Sequence, residues 1–458
     1  MKNKVFFFVL TLLFANSINA QLPRRAFLGT RLWSVNDSIA RLYELPAVKG
    51  ALIDLVVENS SAEAIGLQPG DVIVSIMGKE MQDQFSVTNT IGRYREGDVV
   101  SVKYFRNGQL LETVAALTGF PKETSEYADI IYDAVPFDGG YVRTIIRRPR
   151  REGRFPALFF IQGAHCGSID MMNPSSPQAQ LLEGLAQKGY VVIKTEKAGV
   201  GDSRNNKDCS KYNLMEEVEL FAASFNHLAS YDFIDLNNVF IFGHSMGGVQ
   251  APLMKTKFPP KGIAVFGTIA RPWFEYYVEI ARKQRLMMGQ DYLENEIHHE
   301  KALKFYYSLM VEKKTPAEMM EDEEMKEFMF NHWRFDGEEK FHGRHYTFWQ
   351  QLQDTRMFTA WANTPAHVLS IWGEGEYVAF NPYEHELIAD IVNHYNPGKA
   401  TYIRMPNIDH GFLWVQDRNH AIEIRNDREY FHNNFNDEIV DVVHQWMEKI
   451  INSEKSDI

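Results

Sequence analysis

A chain of 458 residues with 45% hydrophobic and 24% charged side chains is long enough for two or three domains with sizeable cores. Its 60 acidic against 48 basic residues leave a formal net charge of −12, which excludes the cationic footprint of a nucleic-acid binder and offers no attraction to an anionic membrane surface. No run of about eighteen apolar residues occurs beyond the N-terminal segment, so no membrane span is expected there.

At the N-terminus, Lys2 and Lys4 precede the apolar stretch 5–14 and the segment Ser17-Ile18-Asn19-Ala20. A charged start, an apolar middle too short to span a bilayer comfortably and a small-residue exit read as a secretory signal over residues 1–20. The mature chain is expected to start near Gln21 and to be exported, to the periplasm or beyond. Export sets the redox compartment, so the two cysteines, Cys166 and Cys209, are expected to pair. Closing that loop would stabilise the fold by about 4 kcal/mol on a chain-entropy estimate.

Residues 24–118 read as one unit. A strand at 50–57 leads into the short helix Ala62-Glu63-Ala64-Ile65-Gly66-Leu67 and the turn Gln68-Pro69-Gly70-Asp71. A strand at 72–79, a polar helix at 85–94 and a strand at 99–105 follow, the last entering Arg106-Asn107-Gly108, a hairpin signal. The segment SSAEAIGLQPGDVIVSIMGKEM, with Ala26-Phe27-Leu28-Gly29 upstream, resembles a PDZ domain in the circularly arranged form of bacterial periplasmic proteases. The resemblance implies that Phe27, Leu28 and Gly29 hold a peptide's C-terminal carboxylate through backbone N–H groups. The helix near 87–94 would then form the other groove wall, and the peptide would add a strand to a sheet edge. The plainer reading is a PDZ fold used only for packing against its neighbour.

Residues 119–126, polar and carrying Pro121, read as a linker. Beyond them apolar runs at 157–161, 191–195, 239–242, 263–266, 368–372 and 402–405 alternate with helical patterns such as 214–230. Continuous apolar runs separated by helices predict parallel strands covered on both faces, hence an α/β sheet. From about 270 to 362 the rhythm gives way to helical stretches rich in Trp, Tyr, Phe and Met, which predict a helical cap inserted between sheet strands. Its aromatic side chains, Trp273, Tyr276, Tyr277, Trp333 and Trp349 among them, either line an apolar pocket or form the cap's own core. The acidic stretch 318–327 reads as a solvated helix face.

The run 239–242 continues into Gly243-His244-Ser245-Met246-Gly247-Gly248. A buried strand leading into Gly-x-Ser-x-Gly is the sequence form of a nucleophile elbow, where small residues relieve crowding around a strained serine. An activated serine needs a base within hydrogen-bond reach and an acid to orient that base. His410, in the loop Asn407-Ile408-Asp409-His410-Gly411 after the last strand, is the best base; the acid is sought in Gly373-Glu374-Gly375-Glu376.

Residues 127–452 resemble an α/β-hydrolase, since the elbow, oxyanion loop, acid turn and histidine loop occur in that family's order. The whole chain resembles exported bacterial α/β-hydrolases that carry an N-terminal PDZ domain. The resemblance places the acid three residues after Gly373, at Glu376, a glutamate where most relatives have aspartate. Glu374 is the competitor and Asp409 a distant third. It also places oxyanion N–H donors at Met246 and, in the loop Gln162-Gly163-Ala164-His165-Cys166, at Ala164, with Gly163 as the alternative. A Cys166–Cys209 bridge would rigidify that loop. In Lys197-Ala198-Gly199-Val200-Gly201-Asp202-Ser203, Asp202 reads as a turn-stabilising residue, and Pro252 predicts a kink in the helix after the elbow.

No metal is expected: His298-His299-Glu300 and the pair His342 and His345 lack a third ligand at convincing spacing. Phosphate-loop and dinucleotide fingerprints are absent, and no cofactor is implied. The expected activity is that of a serine acyl hydrolase acting on a carboxylic ester or similar small acyl substrate. A serine peptidase fed by the PDZ domain is the second reading, and a non-catalytic PDZ-bearing binding protein the third.

Overall fold

The computed structural model describes residues 22–171 and 173–453. The expected signal segment 1–20 and its cleavage site lie outside the described residues. Among the described residues no helix is long and apolar enough to cross a membrane.

The first sheet is built from β1 (Thr30–Ser34), β2 (Ala51–Val56), β3 (Val72–Ile76), β4 (Lys79–Glu80), β5 (Val99–Arg106) and β6 (Gln109–Ala116). Its order is β1-β2-β3-β5-β6, with β4 on β3, and all its pairings are antiparallel. Alternation along β5 sends Val100, Val102 and Tyr104 inward, where they pack with Ile53, Ile73 and Val87. Asn107 and Gly108 both take positive φ (50° and 74°), the conformation a two-residue hairpin loop demands. β1 is an edge strand beside the helix Gln84–Ile91, whose N-terminus is closed by a reciprocal Asp83–Ser86 capping box.

The second sheet has eight strands. They are β7 (Ala128–Phe137), β8 (Gly140–Pro149), β9 (Phe155–Ile161), β10 (Val191–Thr195), β11 (Ile234–His244) and β12 (Gly262–Phe266), then, beyond the cap hairpin β13 (Lys340–Phe341) and β14 (Arg344–His345), β15 (His367–Gly373) and β16 (Ala400–Met405). The order is β16-β15-β12-β11-β9-β10-β8-β7. From β10 to β16 every pairing is parallel. The six apolar runs are therefore parallel strands, as expected; at one edge the sheet is extended by β7 and β8, an antiparallel hairpin whose β8 pairs antiparallel with β10. The turn is Asp138-Gly139, both at positive φ, a loop that returns the chain without a crossover helix.

Both faces of this sheet are covered, which is why β9, β10 and β12 are nearly continuous apolar runs. On one face the helices Pro177–Gln187 and Glu438–Ser453 pack Leu181, Leu185, Val443 and Met447 against Phe240, Phe242 and Leu369. On the other, Phe221 and Phe225 of the helix Leu214–His227 meet Phe159 and Ile241, and the same core runs on into the cap. The cap comprises the helices from Trp273–Met287 to Met357–Ala362. Side chains buried in this way each contribute about 1.5–3 kcal/mol. The helix after the elbow is short, Met246–Gln250, and Pro252 sits in the 3-10 turn Ala251–Leu253 that follows it.

The two sheets are joined by buried charge. Arg24, just ahead of the first sheet, pairs with Asp170 at 2.7 Å and with Asp202, and Asp202 also accepts from Arg143 Nε at 3.0 Å and from the Arg25 N–H at 2.8 Å. Asp202 is therefore more than a turn residue: it is buried between the segment leading into the first sheet and β8. The stretch 119–126 is packed as well, since Glu123 is buried against Arg147 and Lys194.

Candidate active site

β11 ends at His244, and Ser245 follows in a conformation (φ 55°, ψ −119°) that side-chain-bearing residues seldom adopt. The surroundings over-determine it. The Ser245 N–H donates to Phe266 O at 2.9 Å, and its carbonyl accepts from the Gly248 N–H at 2.9 Å. A Cβ on Gly247 would stand 2.2 Å from Ile161 O, so the tight approach of β9 to the elbow requires glycine there.

His410 Nδ1 lies 2.8 Å and 3.1 Å from the two carboxylate oxygens of Glu376, which is completely buried. Glu376 Oε2 also accepts from the Ala379 N–H. Glu374 points elsewhere, into an exposed pair with Arg404. Asp409 is buried and accepts at 2.8 Å from the Gly411 and Leu413 N–H groups, which shapes the histidine loop; burial pushes its carboxyl up to about 6. Burial alone would lower the His410 pKa, yet attraction to Glu376 and the bond between them outweigh it, and the imidazole is held above its ordinary value.

Ser245 and the His410–Glu376 pair converge on the end of β12. Phe266 O holds the Ser245 N–H, and a Cβ on the next residue, Gly267, would fall 2.5 Å from Glu376 Oε1 and 2.8 Å from His410 Nδ1. Gly267 has φ +62°, so both space and backbone exclude a larger residue. Two further histidines pack here. His244 Nε2 donates to His410 O at 2.9 Å, and burial with the neighbouring His410 lowers its pKa to about 3, so it stays neutral. His385 Nε2 accepts from the Thr268 N–H at 3.2 Å and is lowered to about 3 by the same two causes. The sequence carried no signal for His385 or Gly267, because they lie in segments brought here only by β12 and the helix Tyr383–Tyr395.

The loop after β9 lies alongside the serine: a Cβ on Gly163 would be 3.4 Å from Ser245 Cβ and 3.7 Å from its Oγ. Two buried cations hold its carbonyls. Lys197 Nζ donates to Gly163 O at 2.7 Å and Arg344, from β14 in the cap, donates to Ala164 O at 3.2 Å. Both pair with buried Glu217, at 2.9 Å and 2.6 Å, and Gln250 Nε2 donates to the same carboxylate. Two cations against one carboxylate leave a net positive charge behind this loop. Burial lowers the Lys197 pKa to about 8 against the attraction of Glu217. Sequence reasoning overlooked Lys197 although it opens the Lys-Ala-Gly-Val-Gly-Asp-Ser loop; for Arg344 and Glu217 no local pattern existed.

Cys166 and Cys209 form a disulfide with Cα atoms 5.7 Å apart, and Arg344 also donates to both sulfurs, at 3.4 Å and 3.1 Å. The bridge ties the loop after β9 to the turn Cys209–Lys211 that leads into the helix carrying Glu217. Ala164, Ser245 and Met246 open onto a cavity of about 480 Å³ beneath the cap, walled by Trp273, Tyr276, Tyr277, Trp333 and Trp349. A larger cleft, about 590 Å³, lies between residues 123–127 and the helices Pro177–Gln187 and Glu438–Ser453, and neither Ser245 nor His410 borders it. Among the described residues no cluster of three His, Cys, Asp or Glu side chains is placed to hold a metal.

In the first sheet, Gly29 adopts φ +74°, and its carbonyl accepts from the Val57 N–H. The Leu28 carbonyl accepts from the Ala62 N–H, and that of Phe27 from Ser61. The Phe27 N–H itself donates to Thr118 O at 3.0 Å. The Phe27 N–H, expected as a carboxylate donor, is thus engaged within the domain.

Residues 26–117 match the PDZ domain family. This part of the chain is a PDZ domain. It is 38% identical over 99 residues to a probable periplasmic serine endoprotease, DegP-like, of Chlamydia muridarum (strain MoPn / Nigg), covering 22% of this chain and 20% of that protein. The chain thus spans about a fifth of the length of that relative, and the likeness is confined to the PDZ domain and its surroundings. Among solved structures, Est1E from Butyrivibrio proteoclasticus matches 70% of this chain and 99% of its own at 14% identity, with a TM-score of 0.42. A carboxyl esterase from Bacillus coagulans matches 71% and 100% at 15% identity, also with a TM-score of 0.42. Behind the PDZ domain, the parallel β10-to-β16 order, the elbow between β11 and its helix and the cap before β15 make up an α/β-hydrolase fold.

Proposed function

We propose that the chain is a serine acyl hydrolase that cleaves a carboxylic ester or similar small acyl substrate. The observation that carries this reading is Ser245, on a strained elbow facing a capped aromatic cavity and held by Phe266 O, one residue before the Gly267 against which His410 packs with its Nδ1 committed to buried Glu376. With Nδ1 so engaged, Nε2 is the nitrogen left to take the Ser245 Oγ proton as the oxygen attacks the carbonyl. The imidazolium is stabilised by Glu376 and returns the proton to the leaving alcohol. The resulting acyl-enzyme is hydrolysed by water along the reverse path.

Charge develops on the carbonyl oxygen, and the N–H groups of Met246 and Ala164 would receive it. Across a trans peptide the carbonyl and the next N–H point in opposite directions. Lys197, by holding Gly163 O, would fix the Ala164 N–H pointing away from itself, and Ala164 and Ser245 line the same cavity.

Purified mature protein should be labelled by a fluorophosphonate probe at Ser245 and turn over short p-nitrophenyl esters, with Ser245→Ala losing both. Peptide cleavage is the second reading, favoured by the PDZ domain, whose groove could present a chain end; peptide turnover without ester turnover would reverse the order. Absence of labelling would leave the non-catalytic binding protein. Export is part of the proposal, supported by the disulfide and by a PDZ relative described as periplasmic.

A further inference from the structure

The cavity over Ser245 has a charged end. Arg285, in the last turn of the helix Trp273–Met287, borders it together with Gln284, His298, His332 and His342. No aspartate or glutamate lines the cavity. Other arginines nearby are neutralised: Arg282 pairs with Glu296, and Arg271 with Glu279 and Glu384. Arg285 has no carboxylate partner among the described residues. Its guanidinium makes one long hydrogen bond, 3.3 Å to Gln290 Oε1, and its Nε is buried without a partner. A half-buried guanidinium left unpaired costs desolvation free energy that an acid would offset, and this chain has acids to spare, 60 against 48 bases.

The neighbouring imidazoles suit the same ligand. His298 and His332 face each other edge to face at 4.6 Å, and burial, then Arg285, then His332 keep His298 neutral, at about 4. A neutral imidazole still offers an N–H, and an anion beside Arg285 would cancel the repulsion and let the ring gain a proton. The aromatic wall alone would equally suit a cationic ligand. Arg285 decides against one by like-charge repulsion.

Resting on the acyl-hydrolase reading, we infer that this cavity selects acyl substrates bearing an anionic group, such as a carboxylate, remote from the scissile carbonyl, with Arg285 as the group that reads the anion. The aromatic walls hold the apolar body between the two ends.

The test compares kcat/KM for p-nitrophenyl half-esters of linear diacids, succinate to sebacate, with unsubstituted acyl esters of matched length, and 4-carboxyphenyl with phenyl esters. Preference for the anionic member of at least one series by tenfold or more is expected. Arg285→Gln should bring that ratio down at least tenfold, while Arg282→Gln, an exposed paired neighbour, leaves it as in the wild type. No preference in either series, or one that survives Arg285→Gln, overturns the inference. Calorimetry of Ser245→Ala with monomethyl adipate and neutral dimethyl adipate reads the anion site even where no ester is turned over. Tighter binding of the monoanion, lost in the Arg285→Gln double variant, supports the inference; equal or absent binding overturns it. Failure of the acyl-hydrolase reading would show separately, as absent fluorophosphonate labelling.

Discussion

Lys197 Nζ donates to Gly163 O at 2.7 Å, from a position so buried that only Glu217 and the backbone answer its charge. The relationship turns a loop whose backbone would otherwise be free to rotate into one with a set direction. Arg344 does the same for the next carbonyl, reaching in from the cap. The cap thus takes part in shaping the loop beside Ser245 as well as in roofing the cavity.

Lys197→Met should therefore lower kcat by about 10- to 100-fold with little change in KM, a loss somewhat below that of an oxyanion donor itself. Far-ultraviolet dichroism and a thermal melt would separate this from misfolding. A large rise in KM at unchanged kcat would show that Lys197 shapes substrate binding instead.

The same lysine predicts a falling limb in the pH profile. With its pKa near 8, Lys197 loses its charge above that pH, and Glu217 with Arg344 then leaves no net positive charge behind the loop. His165, held low by burial and by Lys197, is neutral throughout this range. Activity should fall above about pH 8 in the wild type, and the limb should be missing in Lys197→Met.

On the proposed mechanism, His410 sets the rising limb. Its raised pKa means that the free base, the active form, is reached at a higher pH than for an ordinary imidazole, so kcat/KM should rise through a midpoint above 6.5. Glu376→Gln removes the attraction, moves that midpoint down and lowers kcat by orders of magnitude. Glu374→Gln should do neither, because Glu374 is tied to Arg404 at the surface. The sign for stability is opposite. The raised pKa makes the His410–Glu376 pair stabilising below about 6.5, a contribution lost as pH climbs through the folded value.

Asp202→Ala leaves Arg143 buried without a carboxylate and Arg24 with only Asp170. Breaking such a buried pair costs about 3–5 kcal/mol. Urea unfolding should show a loss of this size, and limited proteolysis should cut more readily where the PDZ domain joins the rest. An unaltered midpoint would mean that the junction is held by its apolar contacts.

Reduction of the Cys166–Cys209 bridge should lower the melting temperature, since the loop it closes is worth up to about 4 kcal/mol in chain entropy. Activity should fall too, because Arg344 donates to both sulfurs and to Ala164 O. A reduced protein that melts as before would show that Arg344 and Glu217 suffice to hold the loop.

Much of this molecule was legible in one dimension because its signals are local. Apolar runs mark β9 to β12, β15 and β16, and Asn107-Gly108 marks the β5–β6 hairpin. The small residues around Ser245 mark the elbow, and the family resemblance, applied to the turn after Gly373, points to Glu376, the carboxylate that meets His410. The β7–β8 hairpin had an equally local signal in Asp138-Gly139, but its half-buried alternating strands lack the long apolar runs that announce the central ones. What the tertiary structure alone decided is where charges meet. Lys197, Glu217 and Arg344 come from a strand-end loop, a helix and a cap hairpin, and Asp202 finds Arg24 across 178 residues. A buried ion pair is chosen by proximity and exclusion of water, quantities that no spacing along the chain encodes. The sequence therefore determined the elements and the chemical repertoire, and the fold determined which charges meet behind the loop beside the serine.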